Sequence, residues 1–251
     1  MEIEILRNLN HTNILKLECL YETLDCYYLV FNHLIGCLLS DYISRNGPLT
    51  THQCAIILEV LIDIIKYLNG NGVIHRDITP AKILIKSNEI KKENIFLIGF
   101  EKSSKTKLSY IISSMGSPGF IAPETFIRQS LDLRNPEKGF NLTSKCDYFS
   151  LGVTLYFMLF GKIPYDQKET FVLKKNKFCQ FKFVEDSKFE YFKNDILPFL
   201  EKNPHKRRSI NDKTEITNLL MKLSTFEIEA ENEAEESITT LLISNLDKLK
   251  K

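Results

Sequence analysis

Apolar residues Ile3, Ile5, Leu6 and Leu9 recur at helical spacing between charged positions, which predicts a short opening helix that Asn10–Asn13 breaks. Two β-rich runs follow, Ile14–Tyr21 and Tyr27–Phe31, separated by a turn around Leu24-Asp25; together they predict an antiparallel hairpin. Leu38–Ser44 predicts a short helix closed by Asn46-Gly47-Pro48. Thr50 then opens a long amphipathic helix with apolar positions at Ile57, Leu58, Leu61, Ile64, Ile65 and Leu68, ended by Gly70–Gly72. Short apolar runs at Val73-Ile74, Ile83–Ile85 and Ile95–Ile98 predict small strands, and Glu101–Ser117, rich in Ser and Lys, reads as a surface loop. From Thr143 onward the pattern is helical almost throughout. A mixed portion followed by a mainly helical one predicts an α+β, two-lobed architecture. Its parts are a helix-plus-hairpin segment over 1–31, a helical lobe over 32–223 and an acidic helical tail over 224–251. In that tail six glutamates between Glu227 and Glu236 precede Ile238, Leu241, Leu242, Leu246 and Leu249 at helical spacing. The stripe either packs back on the domain or serves a partner or a second copy; its acidic flank argues against a calmodulin-target helix.

Composition narrows the class. The chain has 251 residues, enough for one large domain or two small ones, with 43% hydrophobic and 26% charged residues. Lys plus Arg (33) nearly cancels Asp plus Glu (32), so no global field favours nucleic acid or an anionic membrane. Six scattered cysteines without a C-x-x-C pair fit reduced thiols in a cytoplasmic or nuclear protein better than a disulfide framework or zinc site. The apolar run Phe149–Phe160 is too short to span a bilayer, and the acidic start Met1–Arg7 is unlike a signal peptide. Ten glycines are few.

Four strings carry chemistry: Gly72-Val-Ile-His-Arg-Asp-Ile-Thr-Pro-Ala-Lys-Ile-Leu-Ile85, Gly116-Ser-Pro-Gly-Phe-Ile-Ala-Pro-Glu124, Asp147-Tyr-Phe-Ser-Leu-Gly152 and Asn203-Pro-His-Lys-Arg-Arg-Ser209. In this order and at these spacings they resemble the eukaryotic protein kinase domain. The resemblance is to the serine/threonine type, nearest the calcium/calmodulin-dependent style, and covers residues 2 to 223. It implies a two-lobed kinase-like fold whose small β lobe is truncated here. Phosphoryl transfer rests on positioning and on electrostatic stabilisation of phosphate charge, so its parts can be checked one by one. Asp77 matches the catalytic-loop aspartate that accepts the substrate hydroxyl proton, and Arg76 the arginine that receives an activation-loop phosphate. Leu6, Leu17, His75 and Phe100 match stacked side chains that link the lobes, anchored by Asp147. Glu124 and Arg207 match an ion pair pinning the activation segment. Ser113 falls where the family's phosphosite lies, or is one more serine in a Ser-rich loop.

The departures cluster at the phosphate-handling positions. The family's lysine two residues beyond the catalytic aspartate is Thr79. Its magnesium-binding asparagine is Lys82, whose ammonium has no lone pair for a cation. Its D-F-G string aligns with Gly99-Phe100-Glu101, so the metal-binding aspartate is Gly99, and Glu101 is expected beyond Phe100, away from the metal position. The hinge is recognisable in Phe31, Asn32 and His33, with Phe31 as gatekeeper and Leu38 at the ribose-contacting position. Glu2 matches the glutamate that partners the ATP-binding lysine, yet the sequence holds no counterpart of that lysine and no G-x-G-x-x-G. Either this sequence is a piece of a longer chain or the small lobe has been trimmed.

These residues predict a pseudokinase, a kinase-like domain with a scaffold or regulatory binding role and impaired transfer to protein Ser/Thr. The alternatives are an active serine/threonine kinase with atypical metal use, or a fragment of a longer kinase. ATP is a candidate ligand through hinge backbone groups, whereas both family magnesium ligands are replaced. A protein partner or protein substrate is expected, with no nucleic acid and no membrane; oligomeric state is open.

Overall fold

The computed structural model describes residues 1–87, 89–106, 116–126, 143–165 and 169–228. Helix α1 (Glu2–Asn8) leads into the hairpin β1 (Leu17–Glu22) and β2 (Tyr27–Phe31), paired antiparallel with Leu20 opposite Leu29 and Glu22 opposite Tyr27. Strand β3 (Gly36–Leu38) and helices α2 (Leu39–Asn46) and α3 (Thr51–Gly70) follow. Then come β4 (Val73–Ile74), β5 (Ile83–Lys86), β6 (Ile95–Leu97) and β7 (Ser104–Lys105), and helices α4 (Lys145–Phe160), α5 (Glu169–Phe178) and α6 (Ser187–Ile196). A further helix, α7, begins at 213 and continues through 228, the last described residue.

The core of the helical part is α3 against α4. Ile57, Leu58, Leu61, Ile64, Ile65 and Leu68, the apolar stripe of the sequence, are fully buried. Helix α4 is apolar almost all round and buried almost all round, as a central helix must be. At the start of α3, Thr50 Oγ1 accepts from the Gln53 amide at 3.2 Å while Gln53 Oε1 accepts from the Thr50 amide at 3.1 Å, a capping box that satisfies two end donors. The Glu227 carboxylate, on α7, accepts from the Thr51 amide at 2.9 Å, so the last described turn of α7 closes the same helix end.

Three small antiparallel sheets position the site: β1-β2, β3-β5-β6 and β4-β7. Asn13 O accepts from Leu97 N at 2.8 Å and Asn13 Nδ2 donates to Ile95 O at 2.8 Å, so the hairpin segment is laced to β6. Strand β3, Gly36-Cys37-Leu38, has no β-branched residue to mark it in the sequence. Gly36 lets it approach β5, since a Cβ there would stand 2.0 Å from the Ile85 carbonyl oxygen. Two further differences concern the expected loop and helices. Within Glu101–Ser117, Ser103 and Ser104 are buried and Ser104-Lys105 is a strand paired with Val73-Ile74. The segments 179–186 and 197–212 are not helical. Phe181 and Phe183 in the first stack on each other, Phe181 also packing with Phe149 and Tyr165 and Phe183 with Tyr156 and Phe189, so aromatic burial replaces helix hydrogen bonding as their tether. Among the described residues no helix is long and apolar enough to cross a membrane.

Candidate functional site

The site is built on the turn between β4 and β5. Asp147, at the start of α4 and fully buried, accepts from the His75 amide at 2.9 Å and the Arg76 amide at 2.8 Å. Those two donors hold Arg76 in a left-handed conformation, φ +68°, which a side-chain-bearing residue adopts at a cost of about 1–2 kcal/mol. Burial pushes the Asp147 carboxyl up to about 6, against its two backbone donors and the nearby Arg76 charge. Burial also pushes His75 down to about 4, so a neutral imidazole sits edge-on to Phe100 with ring centres 4.8 Å apart. Leu6 and Phe100 lie in the same buried cluster and Leu17 packs at its margin. Of the five residues read from sequence as a linked stack, the structure brings His75 against Phe100 and onto Asp147, and places Leu6 in and Leu17 beside the wider core. The Arg76 guanidinium is largely buried, which presses it below its usual range. Ser113 lies outside the described residues.

Asp77 is sealed. Its side chain is fully buried, Oδ1 accepts from the Ser117 amide at 2.7 Å, and Oδ2 accepts from the Lys102 ammonium at 2.9 Å. Thr79 is buried two residues on, and its carbonyl accepts from the Lys82 amide at 2.9 Å, winding 80–82 into a tight turn. The cation missing at position 79 is therefore matched by one arriving from Lys102.

Lys82 and Gly99 face each other because the Lys82 carbonyl accepts from the Ile98 amide at 2.9 Å, clamping the base of β5 to the end of β6. Gly99 takes φ +78°, and a Cβ on it would lie 2.7 Å from Lys82 Cδ and 2.8 Å from Lys82 Nζ. The lysine side chain fills the space that a side chain at 99 would need. Its ammonium donates to the Glu101 carboxylate. This corrects the expectation that Glu101 would stand apart: the carboxylate reaches back past Phe100 to position 82. Partial burial pushes Glu101 up, but the hydrogen bond and charge of Lys82 and a backbone donor bring it below its ordinary value. Glu2, expected without a partner, is pushed up by partial burial and by Glu101, while the Lys82 charge opposes both. A divalent cation does not fit these side chains, because an ammonium occupies the position where a metal ligand would be and Gly99 supplies none. Among the described residues no group of three or more His, Cys, Asp or Glu converges on a metal position.

Other predicted residues fall elsewhere. Phe31 ends β2 half-buried, Asn32 is exposed with Nδ2 donating to Glu18 at 2.8 Å, and His33 is exposed, so the side chains of 32 and 33 do not join the Asp77 cluster. Glu124 and Arg207 form a bidentate pair at 2.6 and 2.8 Å, with Glu124 3% and Arg207 0% exposed at the side chain. Arg207 further donates to the carbonyls of Lys145 and Glu201 at 2.7 and 2.9 Å, which fixes the guanidinium plane. Sequence reasoning missed Lys102, the Ser117 amide, Glu4 and Lys105, the last two forming an ion pair between α1 and β7. Lys102, Glu4 and Lys105 stand in no motif, and Ser117, although inside the Gly116–Glu124 string, shows its role only where its amide meets Asp77.

A family model of the protein kinase domain matches residues 1–246. The chain is 32% identical over 212 residues to a probable serine/threonine-protein kinase 2 of Plasmodium falciparum, covering 82% of this chain and 39% of that one. It is 33% identical over 165 residues to the serine/threonine-protein kinase PrkC of Bacillus subtilis (66% and 24%). It is 29% identical over 212 residues to the serine/threonine-protein kinase cds1 of Schizosaccharomyces pombe (83% and 45%). The chain thus spans from a quarter to under half the length of these relatives. Matched along nearly all its length, with the catalytic-loop turn anchored on α4, the chain belongs to the protein kinase domain family.

Proposed function

We propose that this domain works as a pseudokinase, binding a protein partner as a scaffold or regulator with phosphoryl transfer to Ser/Thr impaired or absent. The observation that carries the reading is the Lys82 ammonium, seated in the side-chain space of Gly99 and paired with Glu101. Two oxygen ligands of the family are replaced by a cation at 82 and by a glycine at 99 that offers no side chain. Losing one preorganised electrostatic contact to a developing charge costs roughly 3–4 kcal/mol in the transition state, a hundredfold or more in rate. Asp77, sealed by Lys102 and Ser117, adds to the loss, since a substrate hydroxyl must displace one of them to reach it. Scattered free cysteines support a reducing compartment, the cytoplasm first.

A second reading, an active serine/threonine kinase with atypical metal use, draws on the Lys102 ammonium beside Asp77, a charge that Thr79 cannot provide. One experiment separates them. The purified chain is titrated with ATP by thermal shift, with magnesium and with EDTA, and assayed for phosphotransfer to a mixed Ser/Thr peptide library. The pseudokinase reading expects no transfer. Transfer that Asp77→Asn abolishes refutes it, and transfer persisting in EDTA establishes the second reading.

A further inference from the structure

We propose that the outer face of α5 is a docking surface for an acidic segment of a partner protein, one in which carboxylates flank an apolar side chain. The inference rests on the reading above that the domain binds a protein partner, and it names the surface and the chemistry of that partner. Helix α5 has two unlike faces. On the inner one, Val172 is buried, and Asn176, fully buried, donates through Nδ2 to the Ile121 carbonyl at 2.6 Å and to the Tyr165 hydroxyl at 3.1 Å. Those bonds fix the helix on the segment that also carries Ser117 to Asp77. On the outer face stand Leu173, 46% exposed, and Lys177 one turn on, followed by Phe178, 47% exposed. The Lys177 ammonium lies 5.7 Å from the centre of the Phe178 ring, and the Lys202 ammonium, arriving from the chain after α6, lies 5.9 Å from it.

Two like charges thus share one half-exposed ring. A cation is attracted to a ring face, but the ring does not neutralise it. Among the described residues neither ammonium meets a carboxylate, whereas Lys102, Lys105, Lys193 and Lys222 each do. The neighbouring Glu201 carboxylate is committed to its own turn, accepting from the Asn203 amide at 2.9 Å. An acidic segment supplies the missing counter-charges, and its apolar side chain covers Phe178 and Leu173. Excluding water there strengthens both ion pairs. Single-stranded nucleic acid fits less well. It needs a basic track with successive stacking rings, and here one ring stands between two cations in a chain of net charge +1.

Fluorescence anisotropy on the full chain tests this, with the labelled peptide Glu-Glu-Leu-Glu-Phe-Glu-Glu-Leu as the probe. Saturable binding is expected at low ionic strength, falling as salt screens the pairs. Lys177→Gln combined with Lys202→Gln should weaken it by about tenfold, and Phe178→Ser by about fivefold, with Tm unchanged because all three side chains are exposed. Lys177→Arg with Lys202→Arg should retain binding. The exposed pair Lys86→Gln with Lys213→Gln removes the same charge elsewhere and should leave binding unchanged. Absence of saturable binding overturns the proposal, and so does an equal loss in the Lys86 and Lys213 control, which would mark a general charge effect. Tighter binding of labelled oligouridylate through Lys177 and Lys202 also overturns it, in favour of nucleic acid. A further variant replaces Glu229, Glu231, Glu233, Glu235 and Glu236, all outside the described residues, by Gln. If it binds the probe more than about fivefold tighter, the chain's own glutamates occupy the surface and an external partner is ruled out. Phosphotransfer is read separately: transfer refutes the pseudokinase reading and leaves the binding result standing, while failed binding overturns only the docking surface.

Discussion

Adding one methyl group at position 99 tests the central geometry of the site. Gly99 sits at φ +78°, so Gly99→Ala pays the left-handed backbone cost of about 1–2 kcal/mol. The new Cβ would also lie 2.7 Å from Lys82 Cδ, closer than carbon atoms tolerate. Because the clashing atoms belong to the far end of a flexible side chain, Lys82 swings away and gives up its hold on Glu101. With the lysine and glutamate side chains 24% and 44% exposed, that pair is worth about 0.2–1 kcal/mol. Gly99→Ala should therefore destabilise by roughly 1–3 kcal/mol, a drop of several degrees in Tm for a domain of this size. In a Lys82→Ala background only the backbone part remains. A double-mutant cycle by urea denaturation should then show a coupling of about 0.5–1 kcal/mol with an unchanged m-value. Additive effects, with coupling below about 0.3 kcal/mol, would refute the claim that Lys82 occupies the Gly99 side-chain space.

Arg207→Ala should cost about 3–5 kcal/mol in urea denaturation, because Glu124 would be left charged and buried with no partner; a loss under about 1 kcal/mol would show the pair to be solvated. His75 supplies a pH signature. Its folded value is depressed from 6.5 to about 4, so the stability it contributes is complete above 6.5 and is lost as pH falls toward 4. Relative to His75→Leu, the unmodified domain should lose about 3 kcal/mol between pH 7 and pH 4, from 2.5 pKa units at 1.36 kcal/mol each. The opposite trend of Asp147, raised to about 6, is common to both proteins and cancels in the difference. Parallel pH profiles by thermal denaturation would refute the buried neutral imidazole.

Much of this was legible along the chain, for a physical reason. Helix α3 announces itself because its apolar residues recur with the period of the backbone and its cap and stop are local. Motif spacing likewise marks Asp77, Glu124, Asp147 and Arg207, since short turns on stable elements hold them. Strand β3 and strand β7 escaped notice because Gly36–Leu38 and Ser104-Lys105 lack the β-branched apolar run that marks Val73-Ile74 and Ile95–Leu97; each exists through its partner, β5 or β4.

The same division runs through the site. Local sequence determines which side chains are present: an ammonium at 82, no side chain at 99, a hydroxyl at 79. Their chemistry alone makes a divalent cation a poor fit. Only the tertiary structure decides where those groups spend their charge. The β5–β6 clamp sets Lys82 against Gly99, and the chain after β6 turns Glu101 back toward Lys82 and Lys102 onto Asp77. Charges 19 and 25 residues apart in sequence have no signature until folding brings them within hydrogen-bond reach, and for Asp77, whose side chain is fully buried, the loss of water makes a partner necessary.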